Sequence, residues 1–463
     1  MKPITVGLLP LYPALYDRAD PGTRVAATPF VAAVSEAVSA LGVEVLCAPV
    51  SCVAEEIGDA VRAFEGHNVD ALLTLHLAYA PSGESLRILS ETRLPVIVLD
   101  TTPAAEFGPS TAPEQMMFNH GIHGVQDLCA GLVRGGVPFL IQAGHLDDPV
   151  FGEQLYDKIR AAAVVRSLRR ARVGAVGSAF PGMDDFRVSA DELRTGLGVT
   201  LVPRSATAPQ PQDIAVAAAE EQARADLAQF GETETPVNWA NLVASERVGL
   251  ALRAWIEQER LTAVTVSFTA AAAEFASLPT MPFLECSRLM GRGIGYAGEG
   301  DTLTASWVGA LLSVFDQTTF TEMFCPDWSG DSVFLSHMGE VNYRVCADTP
   351  VLHDLAFPYS SAADTVIGTA TLQPGQAVLA NLAPAGEGRF RLVLCPGEVL
   401  AVEGPNRLES LVNGWFRPQS RLARFLEQYS LAGATHHSAL VYGPQLDALR
   451  HVGRLIGIET VII

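Results

Sequence analysis

Apolar runs and helix-like segments alternate along the first part of the chain. Runs that are apolar at nearly every position are typical of strands buried on both faces, as in a parallel sheet. Four such runs lie at Ile4–Leu9, Val43–Val50, Ala71–Leu75 and Pro95–Asp100. Between them apolar residues recur with helical spacing, as in Pro29–Leu41, which precedes a glycine, a residue that commonly ends helices. The pattern predicts a parallel, doubly wound sheet.

The alternation continues into the middle of the chain and then changes. Further strand-like runs lie at Pro138–Ala143 and Arg172–Ser178, before a loop at Ser205–Asp213. Two helical stretches and the apolar run Ala263–Phe268 follow, which predict a second α/β domain. In the last third, strand-like runs such as Phe390–Val402 are bounded by Gly, Pro and Asn, which indicates a mostly β domain built as a small barrel. We therefore predict three domains, at 1–171, 172–308 and 309–463.

Composition and charge narrow the class of protein. The 463 residues are 49% hydrophobic and 18% charged, so the chain has enough apolar residues for large cores. Its 51 acidic against 31 basic residues give a formal charge of -20, which disfavours binding to nucleic acid or to anionic membranes. The seven cysteines form no CxxC pair, and we find neither a signal peptide nor a membrane-length apolar run. These features predict a cytoplasmic protein with free thiols.

A glycine-rich segment is the first candidate for chemistry. It runs from Gly291 to Asp301 and contains a GxGxxG match at Gly293, Gly295 and Gly298. A dinucleotide site needs a strand directly before the first glycine, whereas a helical pattern precedes it here. We interpret the segment as a loop that presents Glu299 for binding, with capping of the following helix as the alternative role.

Two further segments bring carboxylate and imidazole groups. Glu322 lies in an apolar, aromatic setting, where a buried carboxylate needs a charged partner or a metal. His337 follows an apolar strand-like run, and His436 and His437 lie in a turn of small residues. Taken singly, His337 is also compatible with a satisfied core histidine and the histidine pair with a surface position. Together, two Glu and two His match the ligands of Mn²⁺, with Co²⁺ or Mg²⁺ as alternatives.

These segments, in this order, resemble the L-arabinose isomerase family and, more distantly, the L-fucose isomerase family. The matching motifs are Arg288-Leu-Met, Gly295-Tyr-Ala-Gly-Glu-Gly-Asp301, Phe320-Thr-Glu322, Ser336-His-Met-Gly-Glu-Val341 and Gly433-Ala-Thr-His-His437. The resemblance implies two Rossmann-like doubly wound domains followed by a β-rich C-terminal domain. It also implies a metal-dependent aldose–ketose isomerase that acts on a pentose or related sugar and assembles as a trimer or hexamer.

Residue roles follow from the same resemblance. It implies that Glu299 and Glu322 are both acid/base residues and metal ligands, and that His337 and His437 complete the metal site. The segment Met117–Gly124 is similar to one whose last histidine reaches the sugar of a neighbouring subunit, which corresponds to His123. Met183 and Phe268 fall where the family places substrate-contacting residues. His436 is expected to contact substrate as well, because its neighbour His437 points inward to the metal.

The chain departs from the family pattern in its substrate-facing segments. Leu9-Pro-Leu-Tyr-Pro-Ala-Leu15 stands where the family has a glutamine that contacts the sugar, and Met323–Trp328 replaces an acidic and aromatic run. The reaction type is therefore better supported than L-arabinose as the substrate. We keep two alternatives open: an isomerase or epimerase of another sugar or sugar derivative, and a sugar-binding protein without catalysis.

Overall fold

The computed structural model of the chain describes residues 3–19, 21–233, 235–268, 280–358 and 362–463. It separates into two compact units. The N-terminal unit comprises residues 2–166 together with 450–457, and the main unit comprises residues 167–449 together with 458–463. The predicted boundaries at 171 and 308 remain a prediction.

The N-terminal unit contains a five-stranded sheet in which every strand pair is parallel, in the order β2-β1-β3-β4-β5. The strands are β1 Thr5–Leu11, β2 Glu44–Cys47, β3 Ala71–His76, β4 Val96–Asp100 and β5 Leu140–Ala143. The helices are α1 Ala14–Ala19, α2 Pro21–Ala26, α3 Thr28–Ser39, α4 Ala54–Gly66, α5 Leu86–Glu91, α6 Met116–Asn119, α7 Ile122–Arg134 and α8 Pro149–Leu168, with a 3₁₀ turn at Pro113–Gln115.

The way α4 packs against this sheet explains its sequence. Its buried residues Ile57, Val61 and Phe64 recur with helical spacing and form one apolar face. The Phe64 ring lies directly over Gly7 of β1, where an added Cβ would be 2.6 Å from the ring. Glycine at this position therefore allows the helix to approach the sheet closely.

The main unit begins with a second parallel sheet, in the order β10-β9-β6-β7. Its strands are β6 Arg172–Val176, β7 Thr200–Pro203, β9 Ala263–Val266 and β10 Gly295–Gly298, and the short β8 Gly231–Glu232 joins a small separate sheet. The helices are α9 Ala190–Glu192, α10 Val216–Gln229, α11 Trp239–Glu259, α12 Phe283–Gly291 and α13 Thr302–Leu312, with a π-helical turn at Leu193–Leu197 and a 3₁₀ turn at Pro211–Asp213.

The rest of the main unit is dominated by an antiparallel barrel. Six strands pair in the order β15-β18-β11-β12-β17-β16, and pairing of β15 with β16 closes the ring. The strands are β11 Thr318–Asp327, β12 Ser332–Ser336, β13 Val351–Leu355, β14 Thr365–Thr369, β15 Gly375–Pro384, β16 Phe390–Val399, β17 Gly414–Pro418, β18 His437–Tyr442 and β19 Glu459–Ile462. β13 and β14 belong to the small sheet with β8, while β19 extends the barrel alongside β16. The helical elements are α14 Leu422–Leu431, a 3₁₀ turn at Tyr343–Val345 and α15 Leu446–Ile456, of which residues 450–456 belong to the N-terminal unit.

Two parallel α/β sheets followed by a closed β-barrel confirm the predicted fold class. Closure pairs the edge strands with each other, so each of the six ring strands has two neighbours within the ring. Among the described helices, none combines the length and hydropathy needed to cross a membrane.

A buried ion network joins three helices next to the second sheet. Arg288 of α12 pairs with Asp226 of α10, with Glu246 of α11 at 2.7 Å and with Glu285 at 2.8 Å. The side chain of Arg288 is only 8% exposed and those of its three partners 1%. Its neighbour Ser287 accepts a hydrogen bond from the backbone N–H of Val341, at 3.1 Å. The network therefore fixes α12, and the chain that follows β12 is hydrogen-bonded to this helix.

Candidate active site

Three strands of the second parallel sheet end at one edge. The strands β10, β9 and β6 are neighbours and run in the same direction, so their carboxyl ends lie side by side. Glu299 follows β10, Phe268 lies two residues after β9, and the loop that contains Met183 follows β6. The carboxyl edge of an open α/β sheet is where such folds bind ligands.

The backbone at Glu299 is held in an uncommon conformation. Glu299 has a φ of 60°, in the left-handed region that residues with a side chain seldom adopt. Its carbonyl accepts a hydrogen bond of 2.8 Å from the N–H of Phe180. At Gly300, where φ is 82°, an added Cβ would lie 2.5 Å from the Ser178 carbonyl oxygen. Such strain is concentrated at functional sites, where surrounding contacts maintain it.

The barrel supplies a second carboxylate. Glu322 of β11 is directly opposite His437 of β18 on one side and Ser336 of β12 on the other. His337 comes directly after Ser336, the last residue of β12. This register therefore places Glu322 between β18, which begins with His437, and the end of β12, which leads into His337. Along β11 the buried residues end at Thr321, so Glu322 is at the point where the strand becomes partly exposed.

Carboxylates orient both buried histidines. The Nδ1 atom of His337 is 2.7 Å from Glu340 Oε2, and that of His437 is 3.0 Å from Asp301 Oδ2. Each pairing leaves the Nε2 atom of the ring as the remaining ligand atom. Histidines that bind metals usually have this carboxylate contact on the second nitrogen, which fixes the ring orientation and raises its basicity.

Aromatic rings hold these imidazoles in place. The Phe320 ring lies 4.7 Å from His337 and 5.0 Å from His437, both in edge-to-face geometry. Phe186 stacks on His437 with a ring separation of 5.1 Å and an angle of 10°. The two histidines are therefore confined by packing as well as by hydrogen bonds.

His436 points to a different partner. Its Nδ1 atom is 2.6 Å from Asp185 Oδ2, and the same oxygen accepts a 3.0 Å hydrogen bond from the His436 backbone N–H. Its Nε2 atom lies 3.9 Å from Glu299 Oε2. Burial lowers the pKa of His436, but the contacts with Asp185 and Glu299 outweigh burial, so the net shift is upward. These contacts favour the protonated form of His436 beside Glu299.

The pKa values of Glu299 and His337 are shifted by the charged groups that surround them. His436, and more weakly His437 and His337, lower the pKa of Glu299 against the opposing effect of its partial burial. Burial lowers the pKa of His337, but the carboxylates of Glu340, Glu322 and Glu299 raise it by more. These shifts favour the ionised carboxylate of Glu299 at neutral pH.

The arrangement fits a divalent metal ion. Within the described ranges, the potential ligand atoms of Glu322, His337 and His437 lie within 4.8 Å of one another, and so do those of Glu299, His436 and His437. The two groups share His437, whose Nε2 atom is buried without a hydrogen-bond partner, as is Glu299 Oε2. Unpaired polar atoms in a buried site are costly, and a cation at this position would satisfy both.

The structure brings most of the predicted site residues together. Glu299, Glu322, His337, His436 and His437 gather around one point of the main unit. Phe268 lines a cavity beside them, while Met183, which is 38% exposed, lies in the loop after β6. His123 belongs to the N-terminal unit, where its ring is 5.7 Å from that of His120.

Sequence reasoning did not assign the supporting residues. Asp301 and Glu340 were visible inside the glycine-rich and Ser-His-Met motifs, but only the structure pairs them with His437 and His337. For Asp185 the sequence carries no such signal, because its partner His436 is 251 residues away.

The interpretation of the glycine-rich segment needs a correction. Gly295–Gly298 forms strand β10 rather than a loop, since it pairs with β9 inside the sheet. The cap of the following helix is Asp301, which accepts a hydrogen bond from Thr304 N–H at 2.8 Å, so Glu299 is not the capping residue. The helix α12 precedes the GxGxxG match, which is not the strand that a dinucleotide fingerprint requires.

Comparison with known proteins identifies the class of enzyme. Residues 198–316 match the L-arabinose isomerase central domain, and residues 317–459 match the L-arabinose isomerase C-terminal domain. The chain is thus an aldose–ketose isomerase in class, that is, an intramolecular oxidoreductase. Since the two matches together cover more than half of its length, it belongs to the L-arabinose isomerase family.

Individual relatives are distant but extend along most of the chain. L-arabinose isomerase of Aeromonas salmonicida is 24% identical over 441 residues, which cover 91% of this chain and 87% of that protein. The enzyme of the same name from Anoxybacillus flavithermus is 26% identical and covers 85% of this chain and 80% of its own. The one from Nocardioides sp. is 27% identical, with 75% and 71% covered.

A solved structure was also matched. It is an ABC transporter solute-binding protein from Agrobacterium vitis bound with alpha-D-tagatopyranose, 13% identical, covering 58% of this chain and 78% of that chain. Its TM-score is 0.16, which is too low to support an inference about this chain.

Proposed function

We propose that this protein is a metal-dependent aldose–ketose isomerase that acts on a pentose or a related sugar. The observation that supports this most strongly is the pair of carboxylates, Glu299 and Glu322, each with a potential ligand atom within 4.8 Å of one on the buried His437, whose Nε2 atom lacks a protein partner. A site that only binds sugar has no need of two carboxylates beside two carboxylate-oriented imidazoles.

Glu299, Glu322, His337 and His437 would hold the metal. Mixed carboxylate and imidazole ligation favours Mn²⁺, with Co²⁺ and Mg²⁺ as the alternatives. When bound, the ion would supply Lewis-acid stabilisation of the negative charge that develops on the two reacting substrate oxygens. Asp301 and Glu340 would keep the two imidazoles in the tautomer whose Nε2 atom is free to bind.

The two glutamates would move the protons. Isomerisation transfers one proton between the carbonyl carbon and its neighbour, and a second proton between the two oxygens. One glutamate would remove the carbon-bound proton and return it to the adjacent carbon, while the other would transfer the hydroxyl proton. General acid–base catalysis of this kind contributes roughly 10²–10⁴-fold in rate. We expect Glu299→Gln and Glu322→Gln to abolish turnover with the circular dichroism spectrum unchanged, and near-full activity in either variant would refute this assignment.

The surrounding residues would bind the sugar. Met183, Phe268 and His436 are the proposed contacts from the main unit, and His123 would contribute from a neighbouring subunit of a trimer or hexamer. Exposed aromatic side chains such as Trp328, which is 62% exposed, are compatible with subunit contacts. Light scattering of the purified protein would measure the oligomeric state. A cytoplasmic location is part of the same proposal.

A substrate panel tests the proposed function. Protein stripped of metal with EDTA would be reloaded with Mn²⁺ and incubated with aldopentoses, deoxyhexoses and tetroses, and ketose formation would be measured. Conversion that EDTA abolishes and Mn²⁺ restores would support the isomerase. If the protein bound Mn²⁺ stoichiometrically but converted no sugar, the alternatives would be favoured, namely a modified sugar as substrate or a non-catalytic sugar-binding role.

A further inference from the structure

A buried tyrosine lies behind the proposed metal site. Tyr296 is the second residue of β10, three positions before Glu299, and its side chain is fully buried. Side chains at every second position of a strand lie on one face, so Tyr296 shares its face with Gly298. The His337 imidazole packs against that face, since an added Cβ at Gly298 would lie 2.6 Å from the ring. The strand that leads into Glu299 therefore also faces His337.

The Tyr296 hydroxyl is linked to His337 through one carboxylate. It donates a hydrogen bond to Glu340 Oε1 at 2.5 Å, and Glu340 Oε2 is 2.7 Å from His337 Nδ1. The side chain of Glu340 is completely buried. Hydrogen bonds to an ionised carboxylate are short and strong, so they fix the plane of the group as well as its position. With Oε1 held by Tyr296, Oε2 stays directed at His337.

The main chain beyond Glu340 is held by other contacts. The backbone N–H of Val341 donates to Ser287 Oγ at 3.1 Å, and that of Asn342 donates to Thr319 Oγ1 at 3.0 Å. Neither bond involves the side chain at position 296. The Tyr296 hydroxyl therefore acts on the orientation of the carboxylate rather than on the course of the chain.

The ring of Tyr296 makes a separate contact. It meets the Phe320 ring edge to face, at 5.8 Å and 88°, and Phe320 packs in turn against His337 and His437. Phenylalanine at position 296 would keep this ring contact and remove only the hydroxyl group. The substitution Tyr296→Phe thus separates the hydrogen bond from the packing.

We propose that Tyr296 is a positioning residue for the metal site, because its hydroxyl orients Glu340 and Glu340 keeps His337 Nε2 directed at the ion. This role rests on the proposed metal-dependent function and adds to it a residue that acts on the metal through two others. Groups that orient a metal-binding histidine typically contribute 10–100-fold to metal affinity. Tyr296 acts one hydrogen bond further out, so we expect its hydroxyl to contribute about tenfold, the lower end of that range.

Calorimetric titration of metal-stripped protein with Mn²⁺ tests this role. We expect Tyr296→Phe to weaken Mn²⁺ binding about tenfold. Turnover should recover when Mn²⁺ is raised to saturation, because the hydroxyl takes no part in the proton transfers. Native affinity in the Tyr296→Phe protein, or turnover that stays low at saturating Mn²⁺, would overturn the proposal.

Tyr442→Phe is the matched control. It also removes the hydroxyl of a buried tyrosine in the barrel, one that donates to the Gln373 carbonyl at 2.8 Å. The two variants therefore lose a similar hydrogen bond, but only one of these bonds leads to His337. We expect the control to bind Mn²⁺ with native affinity, and an equal loss in both variants would mean that general destabilisation, not positioning, is the cause.

A double-mutant cycle tests whether Tyr296 acts through Glu340. Once Glu340→Ala has removed the connecting carboxylate, Tyr296→Phe should cause no further loss of Mn²⁺ affinity, because residues that act in one chain of contacts are not additive. A second tenfold loss in the double variant would show that Tyr296 acts by another route and would overturn the proposal.

A metal-free measurement keeps this role separable from the proposed function. The ¹⁵N chemical shifts of the His337 ring, recorded in metal-stripped protein at a pH where the ring is neutral, report which nitrogen carries the hydrogen. We expect hydrogen on Nδ1 in the native protein and a mixture of the two tautomers in Tyr296→Phe. If Mn²⁺ does not bind and no sugar is converted, the proposed function fails, and the shifts still decide the role of Tyr296. Identical tautomer populations in the two proteins would overturn it.

Discussion

Replacement of Gly298 by alanine tests whether the geometry around His337 determines metal affinity. An added Cβ at Gly298 would lie 2.6 Å from His337 Cε1 and 3.0 Å from its Nε2 atom. To reach ordinary van der Waals contact, the imidazole would have to move by about 0.8 Å. That movement is opposed by the 2.7 Å contact with Glu340 and by the Phe320 ring at 4.7 Å.

The magnitude of the effect follows from these contacts. Overpacking of a closed site costs about 1–3 kcal/mol of stability. If the imidazole moves instead, its Nε2 atom leaves the ligand group, and disturbance of the groups that orient a metal-binding histidine typically lowers affinity about 10–100-fold. We therefore expect Gly298→Ala to weaken Mn²⁺ binding by at least about tenfold.

Calorimetric titration of metal-stripped protein with Mn²⁺ is the assay, with urea unfolding in parallel. Gly291→Ala is the matched control, because an added Cβ there, at the end of α12, meets only Asn342 Oδ1 at 3.7 Å. We expect the control to bind Mn²⁺ as the native protein does. Native affinity in a folded Gly298→Ala protein would refute the reasoning, since it would mean that His337 is not a ligand or is free to move.

Three further predictions concern orientation, acid stability and the ion network. Asp301→Asn should weaken Mn²⁺ binding about 10–100-fold in the same titration but shift the melting temperature little, because asparagine also caps helices; unchanged affinity would contradict the role given to Asp301. Burial lowers the pKa of His76 from 6.5 to about 4, so the unfolded state binds its proton first and stability falls as pH drops from about 6.5 to about 4. His76→Leu should reduce the acid-induced loss of unfolding free energy by roughly 3 kcal/mol, as measured by urea unfolding at several pH values. A pH profile unchanged from that of the native protein would count against this role of His76. Arg288→Met leaves the buried carboxylates of Asp226 and Glu246 without their shared cation, while Glu285 keeps its ion pair with Arg253 at 2.6 Å. The substitution should lower the free energy of unfolding by about 3–5 kcal/mol, which an unchanged urea midpoint would disprove.

Local patterns predicted all five strands of the first parallel sheet and two of the four strands of the second, β6 and β9. The apolar runs at Ile4–Leu9 and Ala71–Leu75 became the adjacent strands β1 and β3, because strands buried on both faces carry a continuous apolar signal. β10 was missed, since three of the residues in Gly295–Gly298 are small and carry no strand-like side-chain pattern. Strand identity there depends on pairing with β9, which lies about thirty residues earlier in the chain.

For the candidate site, too, the sequence revealed the residues but not how the fold brings them together. Glu299, Glu322, His337 and His437 stood out because short motifs surround them and because those motifs resemble a family. Their closeness depends on barrel register, such as the pairing of Glu322 with His437, which local sequence does not specify. The cavity that Phe268 lines was equally hidden, since residues from separate elements converge on it only in the folded chain.

The measurement that tests the central claim most directly is a stoichiometric titration of activity with metal. Mn²⁺ would be added stepwise to metal-stripped protein, and both bound metal and ketose formation from a converted sugar would be recorded at each step. The account predicts that activity rises linearly and saturates at one ion per chain, and that a protein lacking the His437 imidazole neither binds the ion tightly nor turns over. Full activity in the metal-stripped protein, or saturation unaffected by loss of His437, would contradict it.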